Sequence, residues 1–185
     1  MPAQLAETGY PFAGPVFLRK LPRKNSLGDP NSSAEERAGE VARSIFLSDP
    51  KPYSVFLVST AEEFRRVCIG YNGGRTSLTS ELYWLPLLGA DLTACGLQTQ
   101  SSPGETRCDF ANQRHHDIDG DEEKVRQLCR RIIEQQISCC QVRKSQLTTW
   151  VEIAKAENCL AVQSAQGCGV ASCPQPTVPL TNSPS

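Results

Sequence analysis

Neither sign of charge dominates this chain, in which 20 acidic residues stand against 19 basic ones. No net field therefore draws the whole surface toward nucleic acid or an anionic membrane. No apolar run approaches the ~20 residues needed to cross a bilayer, so no membrane is expected as a partner. The opening MPAQLAETGYPFAGPVFLRK lacks a charged stretch followed by a continuous apolar one, and no secretory signal is read there. A soluble, cytoplasmic protein is the expectation. Histidine is scarce too. His115 and His116 are the only two, so any imidazole acid–base chemistry has to pass through that adjacent pair. On a regular strand they would point to opposite faces and could not share one metal ion. A Cys-x-x-Cys pair, a Walker phosphate loop and a serine or cysteine nucleophile motif are all missing.

Cysteine, by contrast, is plentiful. There are nine, an odd number that cannot all pair within the chain. Cys68 and Cys129 fall on apolar helix faces, where a reduced thiol behaves as a small hydrophobe. Cys139, Cys140, Cys159, Cys168 and Cys173 match neither zinc-knuckle nor iron–sulfur spacings. No cofactor is expected.

The strongest local signal spans residues 53 to 88. Tyr53 to Val58 is an unbroken β-branched and aromatic run, the composition of a buried strand. Thr60 and Glu63 form a capping box for a helix striped by Phe64, Val67, Cys68 and Tyr71. Asn72-Gly73-Gly74 ends that helix, and Leu82 to Leu85 offers a second strand stopped by Pro86. Upstream, Ser33 and Glu36 form another capping box that opens a helix to about Leu47, broken at Asp49-Pro50.

Downstream, Asp91 to Cys95 reads as one helical turn ended by Gly96, and residues 98 to 104 as a polar loop. A strand is expected somewhere in 106 to 117, through Cys108 and Phe110 and extending to Ile118. Val125, Leu128, Cys129, Ile132 and Ile133 mark a clear helix within 120 to 136. Ile137 to Val142 reads as a strand, and Ser145 as the cap of a last helix facing Leu147, Trp150, Val151 and Ala154 inward.

In order, the middle of the chain gives strand, helix, strand, strand, helix, strand. That is the split βαβ, or ferredoxin-like, pattern. The fold expected is a two-layer α+β sandwich: two helices on one face of a four-stranded antiparallel sheet, with extra N- and C-terminal helices. Residues 1–31, with five prolines, are read as a flexible arm, 32–163 as a single α+β domain and 164–185 as a flexible tail.

Three features suggest binding. Asn72, Gly73, Gly74, Arg75, Thr76 and Ser77 could cup an anion between backbone amides, hydroxyls and a guanidinium. Arg19, Lys20, Arg23 and Lys24 form a small basic cluster suited to an acidic protein surface or to RNA. Of Tyr83 and Trp84, one should face outward on a regular strand and serve for docking. Residues 117–123 place carboxylates at alternate positions, but Glu122 and Leu128 fall where a calcium loop needs glycine and glutamate. They are better read as a cap and first-turn charges for the next helix. A non-catalytic regulatory or scaffold protein, docking a protein partner through a sheet face and flexible arms, is the first expectation. The alternatives are a binder of a small anionic ligand or RNA through the 72–77 loop, and a small metal- or thiol-dependent enzyme.

Overall fold

The computed structural model describes residues 12, 14–22, 26–48, 52–72, 81–102 and 109–156. Its strands are β1 (Val16–Leu21), β2 (Tyr53–Val58), β3 (Leu82–Leu87), β4 (Gln98–Ser101), β5 (His115–Asp119) and β6 (Cys140–Val142). They form one six-stranded sheet in the order β4-β5-β2-β1-β3-β6, and every neighbouring pair is antiparallel. The helices are α1 (Ala34–Val41), which continues as a π-helix over Ala42–Leu47, then α2 (Ala61–Asn72), α3 (Gly89–Ala94), α4 (Asp109–Gln113), α5 (Glu122–Glu134) and α6 (Lys144–Ala156).

Two expectations need correcting. Residues 16 to 21 do not belong to an arm, because β1 lies inside the sheet between β2 and β3. The four-stranded, one-faced sandwich is replaced by a six-stranded sheet with helices on both sides. Alternation along each strand shows this directly. Val16, Leu18, Phe56, Val58, Leu82 and Trp84 join a core with Phe64 and Val67 of α2, Phe110 of α4 and Leu147 and Trp150 of α6. Leu21, Tyr53, Val55, Leu85, Leu87 and Ile118 join a second core with Val41, Ile45 and Phe46 of the α1 segment, Leu92 of α3 and the whole α5 stripe. The helices that begin near Ala61 and Asp121 therefore lie on opposite sides of the sheet. The run Val55-Phe56-Leu57 carries the reason, since a strand with apolar residues on both faces loses the inward–outward alternation.

Local chemistry sets the element ends. The Ser33 Oγ accepts from the Glu36 amide at 3.3 Å while a Glu36 carboxylate oxygen accepts from the Ser33 amide at 3.0 Å, a complete capping box. At α2 the box is only half formed. Thr60 Oγ1 accepts from the Glu63 amide at 3.2 Å, but Glu63 reaches one residue further back, to the Ser59 amide at 2.7 Å. Its other carboxylate oxygen pairs with Arg114 at 2.6 Å. Asp121 caps α5 by accepting from the Lys124 amide at 2.9 Å. Gly96 ends α3 in the left-handed region, at φ 66°.

Other boundaries shift. Residues 98 to 101 form the edge strand β4 rather than a loop, although all four are exposed and polar. Within 106 to 117 the described residues hold α4 and then the start of β5. Pro86 lies inside β3, beyond Trp84 where pairing with β6 ends, which is where a strand tolerates a residue with no amide hydrogen. Ser145 is the second residue of α6 rather than its cap, and β6 covers only the last three residues of the expected strand.

The two cores give a direct check on this arrangement. Val67→Ala on one side and Ile132→Val on the other should each lower unfolding free energy by about 1–2 kcal/mol in urea. In the double variant the losses should add to within about 0.5 kcal/mol, because sites with no shared neighbours do not couple. A larger coupling would place both side chains in one core.

Candidate functional site

The ladder between β1 and β2 is short. It runs through Val16 opposite Val58, Phe17 opposite Leu57 and Leu18 opposite Phe56, and there it stops. Beyond it, β1 continues against β3 as far as Leu21, while β2 continues against β5 back to Tyr53. Two adjacent strands in the middle of the sheet thus part company, and a cleft of about 450 Å³ opens between them.

Arg19 forms the floor of this cleft. It is only 5% exposed, and its guanidinium bridges what the backbone leaves open. Nη1 donates to the Ser54 carbonyl at 2.8 Å, so a side chain takes over from the missing ladder. Nε and Nη2 both donate to the Ile45 carbonyl, at 3.1 and 2.7 Å. That carbonyl belongs to the last turn of the π-helix, where helical acceptors have run out of donors. The guanidinium also lies over the Phe46 ring, 5.6 Å from its centroid. One planar fork thereby holds β1, β2 and the π-helix at fixed separations.

The wall opposite is aromatic. Phe56 meets Trp84, Tyr71 and His115 edge to face at 6.0, 6.4 and 5.4 Å, and Tyr71 meets Trp84 at 5.4 Å. Tyr71 is nevertheless 36% exposed, and the Lys20 ammonium lies over its ring at 5.8 Å. His115 uses Nδ1 with the Ser102 hydroxyl at 2.8 Å, which leaves Nε2 as its open ring nitrogen. Neither the Ser54 nor the Tyr71 hydroxyl has a hydrogen-bond partner among the described residues. Among the described residues, two cations, an imidazole and several hydroxyls line the cleft, and no carboxylate does. The nearest acid along the ladder is Asp117, opposite Ser54 and partly wet.

The candidates named from sequence are dispersed by the fold. Of the basic cluster, Arg19 is buried and Lys20 reaches the cleft, while Arg23 and Lys24 lie outside the described residues. Trp84 is completely enclosed, so it presents no docking surface. Tyr83 points to the other face, half-buried, with its hydroxyl donating to Glu81. Neither ring faces outward, because helices cover the sheet on both sides. Asn72 closes α2, and Gly73, Gly74, Arg75, Thr76 and Ser77 lie outside the described residues. Tyr71, immediately before that loop, does belong to the cleft. His115 and His116 do point to opposite faces, toward Phe56 and Phe17 respectively. Among the described residues, no group of three His, Cys, Asp or Glu side chains is placed to hold a metal.

Cys68, Cys95, Cys129 and Cys140 are poorly suited to nucleophilic work at neutral pH. Burial pushes Cys68 well above its ordinary range, Cys129 up to about 12 and Cys140 up to about 11. Comparison with known proteins returned no matching family model, no matching curated protein and no matching solved structure.

Two outcomes follow from these contacts. Arg19→Met strands the Ile45 and Ser54 carbonyls without a donor and should cost about 2–4 kcal/mol in urea unfolding, with Arg19→Lys recovering part of it. The raised thiols set a pH window: the folded chain keeps Cys129 protonated where the unfolded chain, near 9.0, has already ionised. The Cys129 contribution to stability should be level below pH 9 and fall as pH climbs toward 12, so the alkaline fall in stability should be shallower in Cys129→Ala.

Proposed function

We propose that the protein binds a small anionic ligand in the cleft between β1 and β2. One observation carries this reading: where the two strands diverge, Arg19, Lys20 and His115 converge on a half-open cleft that, among the described residues, no carboxylate lines. Its volume of about 450 Å³ is in the range of small-molecule sites. Its apolar walls and few convergent polar groups also fit that class of site. The site draws on Tyr71, which in sequence immediately precedes the 72–77 segment singled out above for an anion. Docking of a protein partner through an open sheet face has less support, since both faces are covered by helices.

Backbone amide spectra recorded during titration with benzoate and with benzamide test the proposal. Benzoate should shift resonances of residues 19–22, 44–48, 54–56, 71 and 115, with benzamide at least ~10-fold weaker, the equivalent of 1.4 kcal/mol. Lys20→Gln should weaken benzoate by a similar factor. Equal binding of benzamide, or shifts confined to other residues, would defeat the reading.

A further inference from the structure

We infer that Ser102 and His115 form a nucleophile–base pair that cleaves small aryl esters through an acyl-serine intermediate. The pair is assembled by strand pairing at the edge of the sheet. The Ser102 amide donates to the His115 carbonyl at 3.2 Å, one step beyond the point where Ser101 lies opposite His116. Directly opposed residues of an antiparallel pair project to the same face, so the hydroxyl and the imidazole rise side by side. Ser102 Oγ lies 2.8 Å from His115 Nδ1, and that hydroxyl has no other partner among the described residues. Such a separation is the reach a nucleophile and its base require. Ser102 and His115 are both half-buried, so neither is sealed from a substrate.

The base is also held in one orientation. Phe56, opposite His115 on β2, meets the ring edge to face with centroids 5.4 Å apart and planes at 78°. Among the described residues the orienting group is therefore an aromatic edge rather than a carboxylate. With the hydroxyl donating to Nδ1, the ring proton sits on Nε2, and the nitrogen that faces Ser102 keeps the lone pair needed to accept a proton. No sequence motif announces this pair, because such constellations are defined by geometry and not by position in the chain.

The reaction runs in two halves. Ser102 Oγ bonds to the acyl carbon while its proton passes to His115 Nδ1; the bond from that carbon to the phenolate oxygen breaks, and the phenolate leaves with the proton from Nδ1. Water then bonds to the acyl carbon and gives a proton to Nδ1. The bond to Oγ breaks, Oγ recovers that proton, and the carboxylic acid is released.

The substrate class follows from the backbone of the same residue. A nucleophilic serine's own amide commonly helps to hold the oxyanion, and here that amide is spent on the His115 carbonyl. Lacking one oxyanion donor costs about 10²–10³ in rate. Amides and alkyl esters, whose leaving groups are strongly basic, need that help most. Aryl esters need it least.

Two probes of the purified chain test the pair: p-nitrophenyl acetate, and a fluorophosphonate whose adduct is located by peptide mass spectrometry. Release of p-nitrophenol should fall about 100-fold in Ser102→Ala and in His115→Gln, and stay within about twofold of the parent in His116→Gln. The fluorophosphonate should mark Ser102, and His115→Gln should abolish the mark. Ser102→Cys keeps a nucleophile in place and should still take an acetyl group at position 102, which separates lost chemistry from lost fold. The matching amide, p-nitroacetanilide, should be cleaved at least ~100-fold more slowly than the ester. Parent-level release in Ser102→Ala, an equal loss in His116→Gln, or no adduct on Ser102 overturns the pair. Equal cleavage of the amide overturns the ester class. The pair needs no bound anion, so neither result touches the anion reading of the cleft.

Discussion

The structure depends on keeping water away from both faces of one sheet. A six-stranded antiparallel layer presents apolar side chains above and below, and each set is covered by its own group of helices. Antiparallel sheets commonly leave one side wet, and this one does not. The consequence is a chain whose central strands carry almost no polar positions. Where a polar residue does enter, as Arg19 does in β1, it has to be fully engaged. Removing a guanidinium from water costs several kcal/mol, and only charge-assisted hydrogen bonds of good geometry offset that. The Ile45 and Ser54 carbonyls supply them.

The same contacts tie the π-helix to the cleft. Over Ala42–Leu47 the helical hydrogen bonds lengthen their span by one residue, an arrangement often found at functional sites. Ser44 and Ile45, both within it, line the cleft, and Arg19 holds the Ile45 carbonyl toward β1. Strand divergence, π-helix and buried arginine are thus three views of one local solution. Chain that leaves the ladder must find its hydrogen bonds elsewhere, and here a single side chain provides them.

Much of the local structure was legible. The strand from Tyr53 to Val58, the ends of α2 and the five-residue stripe of α5 follow from composition, capping and periodicity alone. β1 was hidden because its Arg19 and Lys20 resemble a solvated basic patch when nothing shows that one is buried under a helix end. β4 was hidden because Gln98-Thr99-Gln100-Ser101 has neither alternation nor β-branched content beyond one threonine. Its strand character comes wholly from pairing with β5. The cleft was illegible for a different reason. Lys20, Ser54, Tyr71 and His115 come from four separate segments, and only sheet order brings them together. Tyr71 was readable as the neighbour of a candidate anion loop, but its position on the helical stripe marked it as core.

The sheet also ends in a particular way. On one side the last strand is β4, four polar residues long and fully exposed; on the other it is β6, three residues long. Unsatisfied backbone groups along an outer strand are a template onto which another copy can add, and length and apolar content make such templating worse. Two brief, hydrophilic borders give an incoming strand little to grip. Among the described residues, the oily middle of the layer is thus bounded by borders that offer another copy few backbone groups to pair with.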